Sequence, residues 1–167
     1  FEECREFMNS RFPLSQFSEE LKRFVIRLTD GHPFYLEILA SRLERCVLGA
    51  HGLDRILLIE ALKQELDSGD GVLNHYFQSR LYESAQAKSW PFFADVLMAL
   101  ALGYKKPSQA GRFLGEKSTD IKKVLERLSL VELVQKHGSF FQVPDPLFRF
   151  WLEQVYYRRR FLTDRSP

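Results

Sequence analysis

No run in the 167-residue sequence approaches the ~18 consecutive apolar residues of a membrane-spanning helix, so no membrane partner is expected. Cysteine is scarce: Cys4 and Cys46 are too few for a disulfide framework and fit a reducing cytoplasm. Cys46 and His51 supply half a zinc site, but a tetrahedral metal needs three or four protein ligands and the others are missing. The four histidines are scattered, at 32, 51, 75 and 137. The phosphate-cradling G-x-x-x-x-G-K-[ST] motif is absent, and so are G-x-S-x-G and H-E-x-x-H. Nothing forms a complete catalytic site, so the segment is expected to be no enzyme, with no metal and no cofactor of its own. It opens on Phe1 with no initiator Met or leader, and it reads as a piece of a longer cytoplasmic protein.

What is present belongs to a folded protein: 45% apolar, 14% aromatic and 28% charged side chains. The net charge of +2 conceals a split. Residues 1–88 carry 11 Lys/Arg against 14 Asp/Glu, and residues 89–167 carry 13 against 8. A basic second half hints at an anionic partner such as nucleic acid.

The pattern is mainly α-helical. Ser18 caps a helix with Leu21, Phe24, Val25 and Leu28 at 3-4 spacing, and Asp30-Gly31 ends it. Pro33 opens a second helix, which runs to about Val47. A third covers about Leu53–Leu66, with Ile56, Ile59, Leu62 and Leu66 in its period, and a fourth Val72 to about Ala85. The small, polar stretch 84–89 marks a boundary, giving a helical domain over residues 1–87 and a second domain over 88–167. There, Trp90–Leu102 is an almost wholly apolar helix, Ser108 caps a short one, and Ser118 caps another with Ile121, Val124, Leu125 and Leu128 on one stripe. Glu132–Lys136 and Phe140–Val143 alternate around His137-Gly138-Ser139 as a β-hairpin. Asp145 or Pro146 opens a last helix ending in Arg158-Arg159-Arg160, whose cations complement its negative end. Helix, helix-turn-helix, then hairpin is the order of a winged helix-turn-helix domain.

With its apolar stripe turned to the core, the helix from Ser118 to Ser129 presents Thr119, Lys122, Lys123 and Glu126 outward, and its first turn points at a DNA major groove. Lys105 and Lys106 precede the supporting helix, and Lys136 and His137 sit at the wing, so Lys105, Lys106, Ser118, Thr119, Lys122, Lys123, Lys136 and His137 form the candidate DNA-binding set. The set lacks the Arg, Asn and Gln side chains that most often read base edges. Exposed lysines also suit a plain interaction module, so duplex DNA and a regulatory protein both stand as partners. Phe140, Phe141, Phe148, Phe150 and Trp151 read as the core joining hairpin to last helix.

Two segments together resemble one family. Thr29-Asp-Gly31-His-Pro33-Phe-Tyr-Leu36-Glu-Ile-Leu39 resembles the Gly-x-Pro segment of the helical lid in STAND-type P-loop ATPases, relatives of the AAA+ class. Val143-Pro-Asp145-Pro146-Leu-Phe-Arg149-Phe-Trp151 resembles the stretch ending the winged-helix domain of the archaeal-type, prokaryotic members. The resemblance covers nearly the whole chain and implies a helical lid bundle followed by a winged helix-turn-helix domain with a small β-hairpin wing. It implies a catalytic P-loop domain upstream of Phe1 that uses ATP or ADP with Mg, and it places Gly31, His32 and Pro33 beside the nucleotide. A tight turn at a helix N-terminus also exposes backbone N–H groups able to meet an anion. The implied function is non-catalytic: a lid sensing nucleotide state, coupled to a winged-helix output module for DNA or protein. A DNA-binding module of an initiator or transcription regulator and a pure protein-interaction module are the alternatives.

Overall fold

A computed structural model describes residues 2–12, 17–47, 53–85 and 89–162. They form a mainly helical chain with one two-stranded antiparallel sheet, in two compact units, Phe1–Tyr76 and Phe77–Pro167. Of the segment 84–89, residues 86–88 lie outside the described residues, as do Gly49–Gly52 between the second and third expected helices.

The first unit holds α1 (Glu2–Arg11), α2 (Glu19–Leu28), α3 (Pro33–Val47), α4 (Arg55–Leu66) and the start of α5 (Val72–Ala85). Helix α1 is polar, with only Met8 buried, and its hydrophobic pattern does not announce it. Ion pairs hold it instead: Arg11 Nη2 lies 2.6 Å from Glu37 and Nη1 3.2 Å from Glu44, both on α3. Ser18 caps α2 as expected, its Oγ accepting from the Leu21 N–H at 3.3 Å. The expected stripe of α2 is displaced, however. Phe24 is exposed, whereas Lys22, Val25 and Ile26 are buried, and Lys22 Nζ donates to Asn9 Oδ1 at 2.7 Å. In α4 the displacement is larger: Ile56 and Ile59 face solvent, and Leu58, Ala61, Leu62, Glu65 and Leu66 face inward. One helix face cannot bury both sets at 3.6 residues per turn, and the small Ala61 favours the close approach of α4 to α3.

A buried carboxylate fixes the corner between α4 and α5. Glu65 is fully buried; its Oε1 accepts from Arg42 Nε at 2.6 Å and its Oε2 from the Val72 N–H at 3.0 Å. Gly71 passes so close to this corner that a Cβ would lie 2.4 Å from the Glu65 carbonyl oxygen, a position that only glycine occupies without a shift.

The second unit holds the rest of α5, then α6 (Trp90–Ala101), α7 (Pro107–Leu114), α8 (Ser118–Leu130), β1 (Gln135–His137), β2 (Phe140–Gln142) and α9 (Pro146–Trp151). Helix α6 is its central rod, burying Phe93, Ala94 and Val96–Leu100. Both expected serine caps are displaced by two residues or one. Lys106 caps α7, with Pro107 in the first turn where its missing N–H costs nothing, and Lys106 N–H donates to Gln109 Oε1 at 3.1 Å. Lys117 caps α8, its carbonyl accepting from the Asp120 and Ile121 N–H groups, so Ser118 is the first helical residue rather than the cap. The stripe Ile121, Val124, Leu125 and Leu128 is buried as the spacing predicts.

The hairpin is shorter than expected. Glu132 adopts φ 57° and Leu133 N–H bonds back to the Leu128 carbonyl at 3.1 Å, so the first half of the anticipated strand closes α8 instead. His137 belongs to β1, leaving Gly138-Ser139 as the turn, with pairs Gln135↔Gln142, Lys136↔Phe141 and His137↔Phe140. The Phe141 N–H also donates to the Lys105 carbonyl at 2.9 Å, which ties the segment before α7 to the hairpin. Asp145 caps α9, accepting from the Phe148 N–H at 2.9 Å. Beyond Trp151 the helix widens into π-helical turns over Leu152–Tyr156 and Arg158–Leu162. Phe77, Phe148 and Trp151 pack with ring centroids 5.1 to 6.0 Å apart in the core, together with Phe141, while Phe140 turns out to solvent.

Candidate functional site

Two stretches carry the residues singled out in the sequence, one in each unit. In the first, α2 ends through Asp30 (φ 50°) and Gly31 (φ 68°), both left-handed, and α3 starts at Pro33. Left-handed backbone at Gly31 favours glycine, and an added Cβ would meet Cys4 Sγ at 3.0 Å. His32 is exposed and stacks on Tyr35, ring centroids 4.3 Å apart, and Phe34 and Tyr35 lean on Tyr76 at 5.0 and 6.0 Å.

Gly31 and Pro33 line a cleft of about 350 Å³ with Glu3, Cys4, Phe7, Leu36 and Glu37. Within the turn itself the N–H groups are already engaged. Gly31 N–H donates to the Ile26 carbonyl at 3.0 Å, His32 N–H to the Thr29 carbonyl at 2.9 Å, and Pro33 has no N–H. The lining mixes apolar groups with Glu3 and Glu37, and Glu37 is already paired with Arg11 at 2.6 Å.

In the second unit the candidate residues fall into two separate sets. Ser118, Thr119, Lys122 and Lys123 are exposed on α8. Both lysines are matched by carboxylates of their own helix: Lys122 Nζ lies 3.7 Å from Glu126, and Lys123 Nζ 3.4 Å from Asp120. The second set surrounds the hairpin. Lys105 reaches it through its backbone bond to Phe141, Lys106 Nζ stands 4.9 Å from the Phe140 ring centroid, and Lys136 Nζ 5.7 Å from that of Phe141. His137 Nε2 lies 2.9 Å from Gln142 Nε2. Period-2 alternation puts Gln135, His137, Phe140 and Gln142 on one face of this hairpin. Phe140, read in the sequence as core, is thus the exposed aromatic of the hairpin; the one-residue register decides this.

A third cluster gave no motif. Tyr156 O–H donates to Asp95 Oδ1 at 2.8 Å and approaches the Pro91 carbonyl at 3.3 Å, and Arg160 Nε lies 3.6 Å from the same carboxylate. Partial burial pushes the Asp95 carboxyl above the usual range, against the opposing pull of Tyr156 and Arg160. Burial, reinforced by the negative Asp95, drives the Tyr156 phenol up. Arg160 therefore balances Asp95 and does more than complement a helix end. Clefts of about 460 and 500 Å³ flank the cluster, the first walled by Trp90, Pro91 and Trp151, the second by Phe92, Phe113 and Phe161. Tyr156 and Asp95 lie 61 positions apart in the sequence, so only the return of the C-terminal helix beside α6 reveals them.

Among the described residues, no group of three or more His, Cys, Asp or Glu could hold a metal ion, and no helix is long and apolar enough to cross a membrane. No family model, curated protein or solved structure matches the chain.

Proposed function

We propose that the chain is the regulatory part of a STAND-type P-loop ATPase, in which the first unit is the nucleotide-sensing lid and the second a winged helix-turn-helix output module. The observation that carries this reading is the backbone of the two motif-bearing segments. Gly31 is left-handed directly ahead of a proline-opened helix, and Asp145 caps a proline-opened helix whose Leu147, Phe148 and Trp151 are buried under the hairpin's unit. The winged-helix assignment draws on the order α6, α7, α8, β1, β2, α9 and on the bond from Phe141 N–H to the Lys105 carbonyl, which ties the segment before α7 to the hairpin.

On this reading the unit is no enzyme. Phosphates and Mg are held by a P-loop domain that this sequence does not contain, while Gly31, His32 and Pro33 meet the base end of the nucleotide, Gly31 and Pro33 from the cleft they line and His32 from its exposed ring on Tyr35. ATP against ADP shifts the lid, and the output module then exposes or hides a surface for its partner. The test is the reading frame ahead of Phe1. A Walker A motif followed by an acidic strand is expected there; a frame with neither overturns the ATPase assignment and leaves the output module alone.

A further inference from the structure

The charges of the second unit are unevenly committed. On α8, Lys122 and Lys123 each face a carboxylate one turn away, so the helix that would enter a groove presents little net charge. Around the hairpin the balance differs: among the described residues no carboxylate pairs with Lys105, Lys106 or Lys136. Among them Lys106 stands beside Phe140, which is 46% exposed, with its ammonium 4.9 Å from the ring centroid; Lys105 enters through its backbone, and Lys136 lies with Phe141 on the other face of the hairpin. The exposed part of the Phe140 ring offers a π-face to a flat ligand. His137 and Gln142, on the same hairpin face, add polar groups able to meet base edges.

We propose that this wing edge, and not α8, is a binding surface for single-stranded nucleic acid: Phe140 stacks on an unpaired base while Lys105, Lys106 and Lys136 hold the flanking phosphates. Alternating aromatic and cation is what a single strand requires, because every base has a stacking face and every linkage a charge. A paired duplex buries those faces, and an acidic peptide has no ring to stack. The inference rests on the winged-helix reading of the second unit, though not on the ATPase assignment.

The test uses fluorescence anisotropy of the full chain with a labelled twelve-nucleotide oligo-dT, the matching duplex and a labelled oligoglutamate peptide, at low and moderate salt. The variants are Phe140→Ala, Phe140→Tyr, Lys106→Gln with Lys136→Gln, and Lys122→Gln with Lys123→Gln, each checked by circular dichroism. Phe140→Ala should weaken oligo-dT binding by about 10-fold, and Phe140→Tyr, which keeps the ring, should restore it. The wing lysine pair should flatten the log–log salt slope by about 1.4, at about 0.7 for each phosphate no longer neutralised. The α8 pair should change affinity less than about 2-fold at moderate salt, since on this proposal neither lysine touches the strand and charges away from it are screened.

Loss confined to the α8 pair, with the duplex preferred, overturns the wing assignment and leaves a conventional winged helix. Peptide binding equal to oligo-dT and indifferent to Phe140→Ala overturns nucleic acid in favour of an acidic protein. Unchanged anisotropy with all three ligands overturns the proposal while leaving the lid and its upstream domain to the sequence ahead of Phe1.

Discussion

The buried Glu65 gives the sharpest test of the first unit. Its carboxylate has no exposure and joins three helices: it accepts from Arg42 of α3 at 2.6 Å and from the first N–H of α5 at 3.0 Å, while belonging to α4. Glu65→Gln keeps the size and one acceptor but removes the charge, so the amide now turns a donor toward Arg42 or Val72. Removing one partner of a buried pair costs about 3–5 kcal/mol because the other charge is left uncompensated. Arg42 is not sealed, however; its side chain is 19% exposed and its Nη1 also donates to Gln64 Oε1 at 3.3 Å. Discounting for that solvent access and the surviving hydrogen bond leaves about 2–3 kcal/mol. In a cooperative unit of this size each kcal/mol moves Tm by about 4–8 °C, so its thermal transition should fall by roughly 8–24 °C. Chemical denaturation of the full chain followed by circular dichroism measures the free energy, and a cycle with Arg42→Met measures the coupling. Glu65→Gln within about 0.5 kcal/mol of the parent, or strict additivity with Arg42→Met, would refute the claim that this carboxylate organises the corner.

Two further perturbations test neighbouring claims. Gly71→Ala places a methyl 2.4 Å from the Glu65 carbonyl oxygen and 2.6 Å from that of Gln64, so it should cost more than about 2 kcal/mol by denaturant titration; a neutral result would mean that the α4–α5 turn can open at little cost. Asp95 has a folded pKa raised above its ordinary value, so its protonated form favours the folded state. That stability is present below the ordinary aspartate pKa of about 4 and lost as pH rises through the elevated folded value. Asp95→Asn, which keeps an acceptor for Tyr156, should remove this slope and leave the chain no less stable at neutral pH; a stability–pH curve identical to the parent's would refute the burial of this carboxyl.

The helices bearing the fold were largely legible because their signals are local. Caps such as Ser18 and Asp145 need only a side-chain oxygen three residues ahead of a waiting N–H, and the stripe of α8 repeats at the helical period. Signals that depend on a partner were not legible. Helix α1 has too little apolar surface to announce itself and is held by Arg11 against Glu37 and Glu44, residues 26 and 33 positions away. Ile56 and Ile59 satisfy a helical period as well as Leu58 and Leu62 do, and which face is buried depends on α3.

The same limit governs the candidate sites, with a consequence for function. Counting lysines along the chain gave α8 and the wing equal standing, because a lysine matched by a carboxylate three or four residues on looks the same in composition as an unmatched one. Within a helix, however, that spacing is itself readable: Asp120 with Lys123 and Lys122 with Glu126 are neighbours on the surface by geometry alone. The neutrality of α8 thus followed from the sequence, whereas the exposure of Phe140 did not, since it turned on a strand register set by the two-residue Gly138-Ser139 turn. A shift of that register by one residue would exchange Phe140 and Phe141 between the exposed and the buried face. Which ring is exposed therefore depends on the turn, whereas the lysine charges do not.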